Sequence, residues 1–444
     1  MFRTLVNAFK IKDIRKRLFY TILALLIVRL GSQLPVPGTD TDFFKQWFAS
    51  QSGDAFNFFD AFTGGSFTSM SVFALGITPY IMASIIVQML TLSIPKLEEM
   101  SREEDGHTKI QEATRYATVG LALFEAIGMA VGFGQKGLLM KNAAGTIPVI
   151  NYVACIVALV AGSAFVMWLG EQITEKGIGN GSSIILVFNI ASRIPADINN
   201  LFTQFVTSAG NVGRAILAAI IIIAVILIVI VLTVLLNDGV RKIPVHYNGR
   251  SNNSRIAAMG NTNHIPLRVN TSGVMPVIFA SSIMQFPVII WSMFNLNPGT
   301  GIWSHILKAL QSSYWFKAET PYYTLGLLLY VVLVIFFAYF YTAITFNPVL
   351  ISDNLKKRGG FIPGVRPGKP TTEYLNNILK YIIFIGAVGL FIVVTIPIVF
   401  NGIFGAQVTF AGTSLIIIVS VVLESMRQVE TMMVERNYKG FLNS

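Results

Sequence analysis

The sequence predicts an all-α polytopic membrane protein built from two related halves. Of its 444 residues, 53% are hydrophobic and only 12% are charged, whereas soluble domains carry about 25% charged residues. Two apolar stretches share one unusual pattern: GITPYIMASIIVQ at 76–88 and GVMPVIFASSIMQ at 273–285 agree at seven of thirteen positions. Paired, interrupted apolar segments are typical of membrane transport proteins whose path lies between two repeats.

Ten segments have the roughly 20 mostly apolar residues that a spanning helix needs. The predicted spans are 18–35, 71–94, 116–133, 148–169, 182–204, 212–236, 271–294, 322–346, 376–400 and 410–430. The first follows a basic region but lacks a small-x-small cleavage site, so we expect a retained helix rather than a signal peptide. The fifth is the least regular, because Arg193 and Pro195 interrupt it.

The matched patterns fall on the second and seventh spans. A weaker pair, GSSIILV at 181–187 and GTSLIII at 412–418, falls on the fifth and tenth. Because each half has an odd number of helices, the second half has the opposite orientation across the membrane, so the repeat is inverted. The expected halves are 1–205 and 206–444.

Loop charge predicts the orientation. With the amino terminus in the cytoplasm, cytoplasmic segments hold 24 of the 33 basic residues and external segments hold 7. Because basic loops stay on the cytoplasmic side, both termini are expected there.

The segment 57–71, NFFDAFTGGSFTSMS, is too interrupted by Gly, Ser and Thr to span a membrane and too aromatic for a solvated loop. It either folds back into the protein, where irregular backbone is tolerated if buried, or lies as an interfacial helix with its aromatic rings among the headgroups. Composition does not decide between these two alternatives.

The helix centres carry few of the ionisable groups that small-solute transporters place at mid-membrane. Arg29, near the outer end of the first span, is expected to snorkel to the headgroups. Glu125 is the deepest carboxylate and is expected to pair locally or to line a gate. No histidine or second acid accompanies it to form a proton relay.

Neither a catalytic set nor a metal-ligand spacing is visible, so the sequence predicts no enzyme and no cofactor. GIGNGSS at 177–183 resembles a phosphate cradle but lacks the lysine-serine ending of a P-loop, which favours glycine turns before a helix. Cys155, the single cysteine, lies within an apolar run and is expected to be buried.

Branched aliphatic side chains recur at helical spacing in both repeats. Residues four apart share one helix face, as Ile77 and Ile81 do, and likewise Leu186 and Ile190. Ile278 is the repeat partner of Ile81, and Ile417 is the repeat partner of Leu186. Together these residues form either an ordinary packed core or, if the repeats face each other, a constriction that closes by excluding water.

Matching Gly-x-x-Pro sequences in both repeats predict breaks or kinks, since proline cannot donate a backbone hydrogen bond. These positions are Gly76 with Pro79, and Gly273 with Pro276. The breaks either permit movement or are static.

Two long cytoplasmic loops, at about 238–270 and 352–375, are basic. They hold Arg241, Lys242, Arg250, Lys356, Lys357, Arg358 and Arg366. Their charge either serves topology alone or docks a large anionic partner, such as RNA or an acidic protein face.

Beyond these patterns, essentially the whole chain resembles the SecY family of bacterial protein-translocation channels. The segments that carry the resemblance are FALGITPYIMASIIVQML (73–90), GEQITEKGIGNGSSI (170–184), GVMPVIFASSI (273–283), GGFIPGVRPGKPT (359–371) and FAGTSLIIIVSVVLE (410–424). The acidic loop between the second and third spans departs from the family pattern, so no partner contact is carried onto it.

The resemblance implies two five-helix halves around a central hourglass pore. By position, the six aliphatic residues form the pore ring, with Leu186 departing from the family's isoleucine. The implied plug lies around Phe62, Gly64, Gly65 and Ser66. The implied lateral gate separates spans two and three from spans seven and eight, near Gln88 and Phe286. Arg366 matches the arginine of the cytosolic RPG motif.

The implied function is a protein-conducting channel that translocates unfolded secretory proteins across the bacterial cytoplasmic membrane and releases transmembrane helices sideways into it. The implied partners are the SecE and SecG subunits, the SecA ATPase, the ribosome, unfolded secretory and nascent membrane proteins, and the lipid bilayer. Two rival interpretations are a secondary transporter, which predicts polar mid-membrane sites, and an insertase scaffold, which predicts neither ring nor plug.

Overall fold

In the part of the chain that the structure describes, the protein is a bundle of long helices with a small sheet formed by two loops. A computed structural model describes residues 8–50, 54–102, 106–142, 146–207, 212–247, 263–293, 301–315, 320–404 and 414–442. The helices in these ranges are α1 (Lys12–Gly31), α2 (Thr41–Ser50), α3 (Asp54–Thr63), α4 (Thr78–Ser93), α5 (Pro95–Arg102), α6 (Gly106–Phe133), α7 (Val149–Lys176), α8 (Gly181–Phe202), α9 (Val212–Asp238), α10 (Met275–Met293), α11 (Ile302–Ala309), α12 (Leu325–Thr345), α13 (Pro348–Lys357), α14 (Lys369–Phe404) and α15 (Leu415–Leu442).

Each of the ten predicted spans corresponds to one helix. These helices are α1, α4, α6, α7, α8, α9, α10, α12, α14 and α15. Segments within α6, α7, α9, α12–α13 and α14 are long and apolar enough to cross a membrane by length and composition alone. The predicted ten-helix architecture is therefore confirmed, although several helices extend beyond the predicted bounds.

The start of α4 differs from the prediction. Residues 71–77 form turns and the helix begins at Thr78, because Gly76 has a positive φ of +56°. The counterpart helix α10 begins 197 residues further on, after Gly273 with φ +63°. Pro79 and Pro276 are the second residues of their helices, where the missing N–H would be unpaired in any case. The Gly-x-x-Pro sequence thus starts both helices, so of the expected breaks or kinks the structure shows a break before each helix and no kink at either proline.

Helix α8 runs without interruption through Arg193 and Pro195. Its first turn is capped by Asn180, whose side-chain oxygen accepts from the N–H of Ser182 at 3.1 Å. This is the glycine-turn boundary that GIGNGSS predicted. A side chain at Gly181 would collide with the carbonyl of Gly170, so α7 and α8 approach closely here.

The main apolar core lies between the two halves and takes buried side chains from both. Examples are Ile85 of α4, Ile185 of α8, Val277 of α10, Ile398 of α14 and Ile416 of α15. A second core in the first half holds the predicted buried cysteine, Cys155, and a cluster of edge-to-face phenylalanine rings.

A three-stranded antiparallel sheet joins the two basic loops that the sequence presented separately. The strands are β1 (Val240–Tyr247), β2 (Asn263–Arg268) and β3 (Gly360–Phe361), in the order β2-β1-β3. Ile243 pairs with Ile265, and His246 pairs with Phe361. Strand β1 therefore fixes the second loop relative to the first, with Ile243 buried against α12 and α14.

A polar network fastens α9 to α15 and to the turn before α10. Asn237 donates to the hydroxyl of Ser420 at 2.9 Å, and Asn270 donates to the side-chain oxygen of Asn237 at 3.0 Å. Arg427 donates to the carbonyl of Asn237 at 2.7 Å. These bonds hold the start of α15 in a fixed position relative to α9 and α10.

We expect Gly76→Ala to lower the melting temperature of the purified protein more than Gly273→Ala does. Both positions need a left-handed backbone, which costs other residues about 1–2 kcal/mol. Only at Gly76 does the added Cβ also press on a neighbour, the methyl group of Thr63 at 3.1 Å, whereas Gly273 has open space. Equal losses, or a larger loss at Gly273, would contradict this packing.

Candidate functional site

The structure brings the six aliphatic residues into one apolar cluster. Ile77, Leu186, Ile190, Ile278 and Ile417 are all at most 2% exposed and belong to the main core. Ile81 is half-buried and packs against the same core. These side chains come from both halves and share one core, and their role as a pore ring stays a prediction.

Of the two alternatives left open for the segment 57–71, the structure shows folding back into the protein. The segment consists of α3 followed by a turn through Met70, in which Gly64 and Gly65 have φ of +67° and +86°. Phe59, Phe62 and Phe67 are buried, which excludes the interfacial-helix alternative for this part of the chain. Phe62 packs in the same core as the six aliphatic residues.

Polar contacts with α8 and α1 hold this segment in place. Asn189 donates to the carbonyl of Phe62 at 3.0 Å. An added Cβ on Gly64 would lie only 3.0 Å from the Cα of Asn189, so a glycine is needed for this approach. Arg193 of α8 forms an ion pair with Asp60 of α3.

Arg29 lies against the turn and does not snorkel as expected. Its guanidinium donates to the carbonyl of Gly64 at 3.0 Å and to the hydroxyl of Ser192 at 3.4 Å. The turn at Gly64 leaves a carbonyl with no helical partner, and Arg29 supplies a donor for it. This contact could not be predicted from the sequence, because Arg29 and Gly64 belong to no common pattern.

A small cavity lies where this segment meets α4, α6 and α10. Its lining consists of Phe59, Phe62, Thr78, Met82, Glu125, Ser282, Gln285, Phe286 and Ile289. It leaves about 20 Å³ for the centres of water molecules, enough for one or two waters. Of the two predicted gate residues, Phe286 lines this cavity.

Three buried polar atoms in the cavity lining have no hydrogen-bond partner among the residues that the structure describes. They are Oγ1 of Thr78, Oε2 of Glu125 and Oε1 of Gln285. Glu125 lines this cavity, and its role at a gate stays a prediction. Gln285 is the repeat counterpart of Gln88, so the shared pattern could have pointed to it.

Gln88 is not part of the cavity lining. Its amide donates to Ser84 of its own helix at 3.1 Å. Helix α10 packs mainly against α12, and it makes more contacts with α6 than with α4. The proposed position of Gln88 at a gate therefore stays a prediction, and Glu125 of α6 faces α10 more directly.

The basic residues predicted to dock a partner surround the small sheet. Arg241 and Lys242 are exposed on β1, Lys356 and Lys357 end α13, and Arg358 follows them. Arg366 is exposed in the turn before α14, where its carbonyl accepts from the hydroxyl of Thr371 at 2.8 Å. Arg250 lies outside the described residues. The sheet places charges from both loops on one structural unit.

Comparisons with known proteins cover nearly the whole chain. A family model described as SecY matches residues 71–426. The protein translocase subunits SecY of Halalkalibacterium halodurans and Bacillus subtilis are each 39% identical over 451 residues, which cover all of both chains. The Escherichia coli K12 subunit is 39% identical over 435 residues, covering 97% of this chain and 94% of that relative.

The fold is also similar to solved structures. One is described as a protein conducting channel, with a TM-score of 0.65, 16% identity, and coverage of 95% of this chain and 93% of that chain. Another concerns a SecY plug domain that stabilises the closed state, with a TM-score of 0.64, 18% identity, and coverage of 95% and 92%. At these identities the likeness concerns the fold alone.

We expect Glu125→Leu to raise the melting temperature of the purified protein, whereas Glu125→Gln should change it little. An unsatisfied buried polar group costs about 1–3 kcal/mol, and leucine removes that group at similar volume. A matched control is Glu171→Leu on α7, which removes the partner of Arg115 at 2.8 Å and should not stabilise. A lower melting temperature for Glu125→Leu would show that the carboxyl is satisfied.

Proposed function

The chain belongs to the SecY family, and from that membership we propose that it translocates unfolded secretory proteins across the cytoplasmic membrane and releases transmembrane helices sideways into it. It is a membrane channel subunit and not an enzyme. Its residues would supply a seal, a plug, a lateral exit and a docking surface.

The observation that carries this assignment is the position of Phe62. Its ring packs in the apolar core with the six aliphatic residues and also lines the cavity between α4, α6 and α10. One side chain thus contacts the regions that we assign to the ring, the plug and the lateral gate. Displacing this segment would loosen the packing of both the ring and the lateral gate.

The seal would work through exclusion of water by the aliphatic ring. Branched aliphatic side chains offer no hydrogen bonds to water or ions, so a constriction lined by them closes by dewetting. Such a ring can also deform around side chains of many shapes, because its contacts are non-directional. This suits a polypeptide of variable sequence better than a small polar solute.

The sideways exit would form by separation of α10 from α6 and α4. Hydrogen bonds within bilayers average about 0.6 kcal/mol, and the unpartnered atoms of Thr78, Glu125 and Gln285 make this seam weaker still. On opening, these atoms would reach water in the pore. An apolar signal helix would replace the packing lost from Phe286 and its neighbours.

The halves 1–205 and 206–444 would move relative to one another, with the plug segment at about 57–71 belonging to the first. We place both termini in the cytoplasm, as the basic loops predict. By family resemblance, a SecE subunit would brace the two halves, and a SecG subunit would accompany them.

The basic loops at about 238–270 and 352–375 would receive the partner that supplies energy or substrate. SecA and the ribosome are the partners that the resemblance implies, and one similar structure is described as Sec61 in a canine ribosome-channel complex, with a TM-score of 0.63, 16% identity, and coverage of 95% of this chain and 93% of that chain. Exposed arginine and lysine side chains on a rigid sheet suit phosphate or carboxylate groups.

We expect Ile278→Asn or Ile417→Asn to raise ion leak through the idle channel by about tenfold or more, and to increase export of precursors with defective signals. A buried, unpaired amide costs about 1–3 kcal/mol in the closed state and is relieved by water in the open state. Leak would be measured in reconstituted vesicles.

The control is Ile385→Asn on the exposed face of α14, where Ile385 is 60% exposed. If the ring variants stay as tight and as selective as the parent, the ring assignment is wrong. If the control leaks as much as they do, the effect is not specific to the ring.

We expect Arg366→Glu to weaken binding of SecA or of a translating ribosome about five- to tenfold, since it reverses an exposed docking charge. Binding to membrane vesicles that contain the channel would be measured alongside precursor export. Lys45→Glu, which changes net charge equally from an exposed position on α2, should leave binding unchanged. Unchanged affinity for Arg366→Glu would reject the docking assignment.

A further inference from the structure

We infer that Arg193 is the positioning residue that holds the plug in its seat, through its ion pair with Asp60, and that Asp197 neutralises Arg193 when the plug leaves. This inference rests on the proposed function, since it assumes that α3 and its following turn form the plug. The plug would then be kept against α8 by one charged pair in addition to apolar packing.

The pair joins the plug segment to the wall of the channel. Asp60 lies on α3 with its side chain only 1% exposed, and Arg193 lies on α8 with its side chain 23% exposed. The other carboxylate oxygen of Asp60 accepts from the N–H of Thr68 at 2.8 Å. The same carboxylate therefore folds the turn of the plug and ties it to α8.

Asp60 also shapes the plug through its backbone. Its carbonyl accepts from the N–H of Gly65 at 3.0 Å. Both the carboxylate and the carbonyl of Asp60 thus accept hydrogen bonds from the turn that follows α3. The segment can therefore leave α8 as one unit and keep these internal bonds. The ion pair with Arg193 is the charged bond that such a movement breaks.

The other polar contacts to the plug involve neutral backbone carbonyls. Asn189 bonds the carbonyl of Phe62, and Arg29 bonds that of Gly64. A carbonyl that loses such a donor leaves no net charge behind. Removing one partner of a buried ion pair leaves an uncompensated charge, which is far less favourable. The Asp60–Arg193 pair should therefore dominate the polar part of the hold.

Arg193 and Asp60 differ in the counter-charge that is near them once their ion pair separates. Arg193 also interacts electrostatically with Asp197, one helical turn further along α8, and Asp197 is buried. Asp60 has no second cation of this kind on α3. Arg193 thus keeps a counter-charge on α8 after the plug leaves, while Asp60 must reach water. Displacement into an aqueous space is favoured over displacement into the apolar seam.

The test uses the channel reconstituted in vesicles with its partner subunits and follows the plug by a single thiol. Cys155 is replaced by alanine and Ser66, which is 1% exposed, by cysteine. The rate of labelling by a membrane-impermeant maleimide then reports how often the plug leaves its seat. Asp60→Asn and Arg193→Gln should each raise this rate about tenfold, and Arg193→Lys should stay near the parent.

The double variant Asp60→Asn/Arg193→Gln should label no faster than either single variant, because both remove one interaction. Asp42→Asn is the control, since it breaks an exposed ion pair with Lys45 at 4.0 Å and should have no effect. Unchanged labelling in Asp60→Asn and Arg193→Gln, or additive effects in the double variant, would overturn the inference. Melting temperatures near the parent value show that the variants are folded.

The same reporter separates this inference from the proposed function. In the parent channel, labelling at position 66 should rise when a stalled precursor occupies the pore. If it does not rise, the plug assignment itself fails. If it rises but ignores every substitution at Asp60 and Arg193, the plug stands and the role of Arg193 is wrong.

Discussion

The structure depends on one constraint: a polar backbone placed inside a membrane bundle must find its partners within the protein. The turn after α3 exposes carbonyls at Phe62 and Gly64 that no helix satisfies. Side chains of Asn189 and Arg29 satisfy them, and these side chains come from two other helices. The turn after α3 is thus held by its neighbours, and, if the segment acts as the proposed plug, it would be released by breaking these contacts without unfolding α8 or α1.

The same constraint explains the shared pattern of the two repeats. A helix that begins inside the bundle needs a sharp turn before it. It also benefits from a first turn without unpaired N–H groups, and proline there has no N–H to satisfy. Glycine with positive φ followed by proline in the first turn meets both needs, and it does so before both α4 and α10. The pattern therefore gives both helices the same kind of start, although their glutamine residues differ in surroundings: Gln285 lines the cavity, whereas Gln88 donates to Ser84 of its own helix.

Local features of this chain were predictable and long-range pairings were not. Apolar length located all ten spans, and the repeat pointed to the aliphatic cluster. The start of α4 was misjudged because its preceding turn, SVFALGI, is as apolar as a helix. Arg29, Asp60 and Arg193 carried no readable signal, since each contact joins residues far apart in sequence. Charge alone suggested an interrupted helix at Arg193, whereas a partner on α3 makes the arginine tolerable there.

Under the proposed function, the pore ring, the plug and the lateral gate are held shut by different interactions. This difference would set the order in which they open. The aliphatic ring and Phe62 share one apolar core, so the ring cannot widen much while Phe62 remains in place. Phe62 also lines the cavity together with Glu125 and Gln285. Under the proposed function, a signal helix that enters between α10 and α6 would displace Phe62 from one side, and this movement would strain the contacts of α3 with α8. Sideways opening and opening across the membrane would then be coupled through a single aromatic side chain.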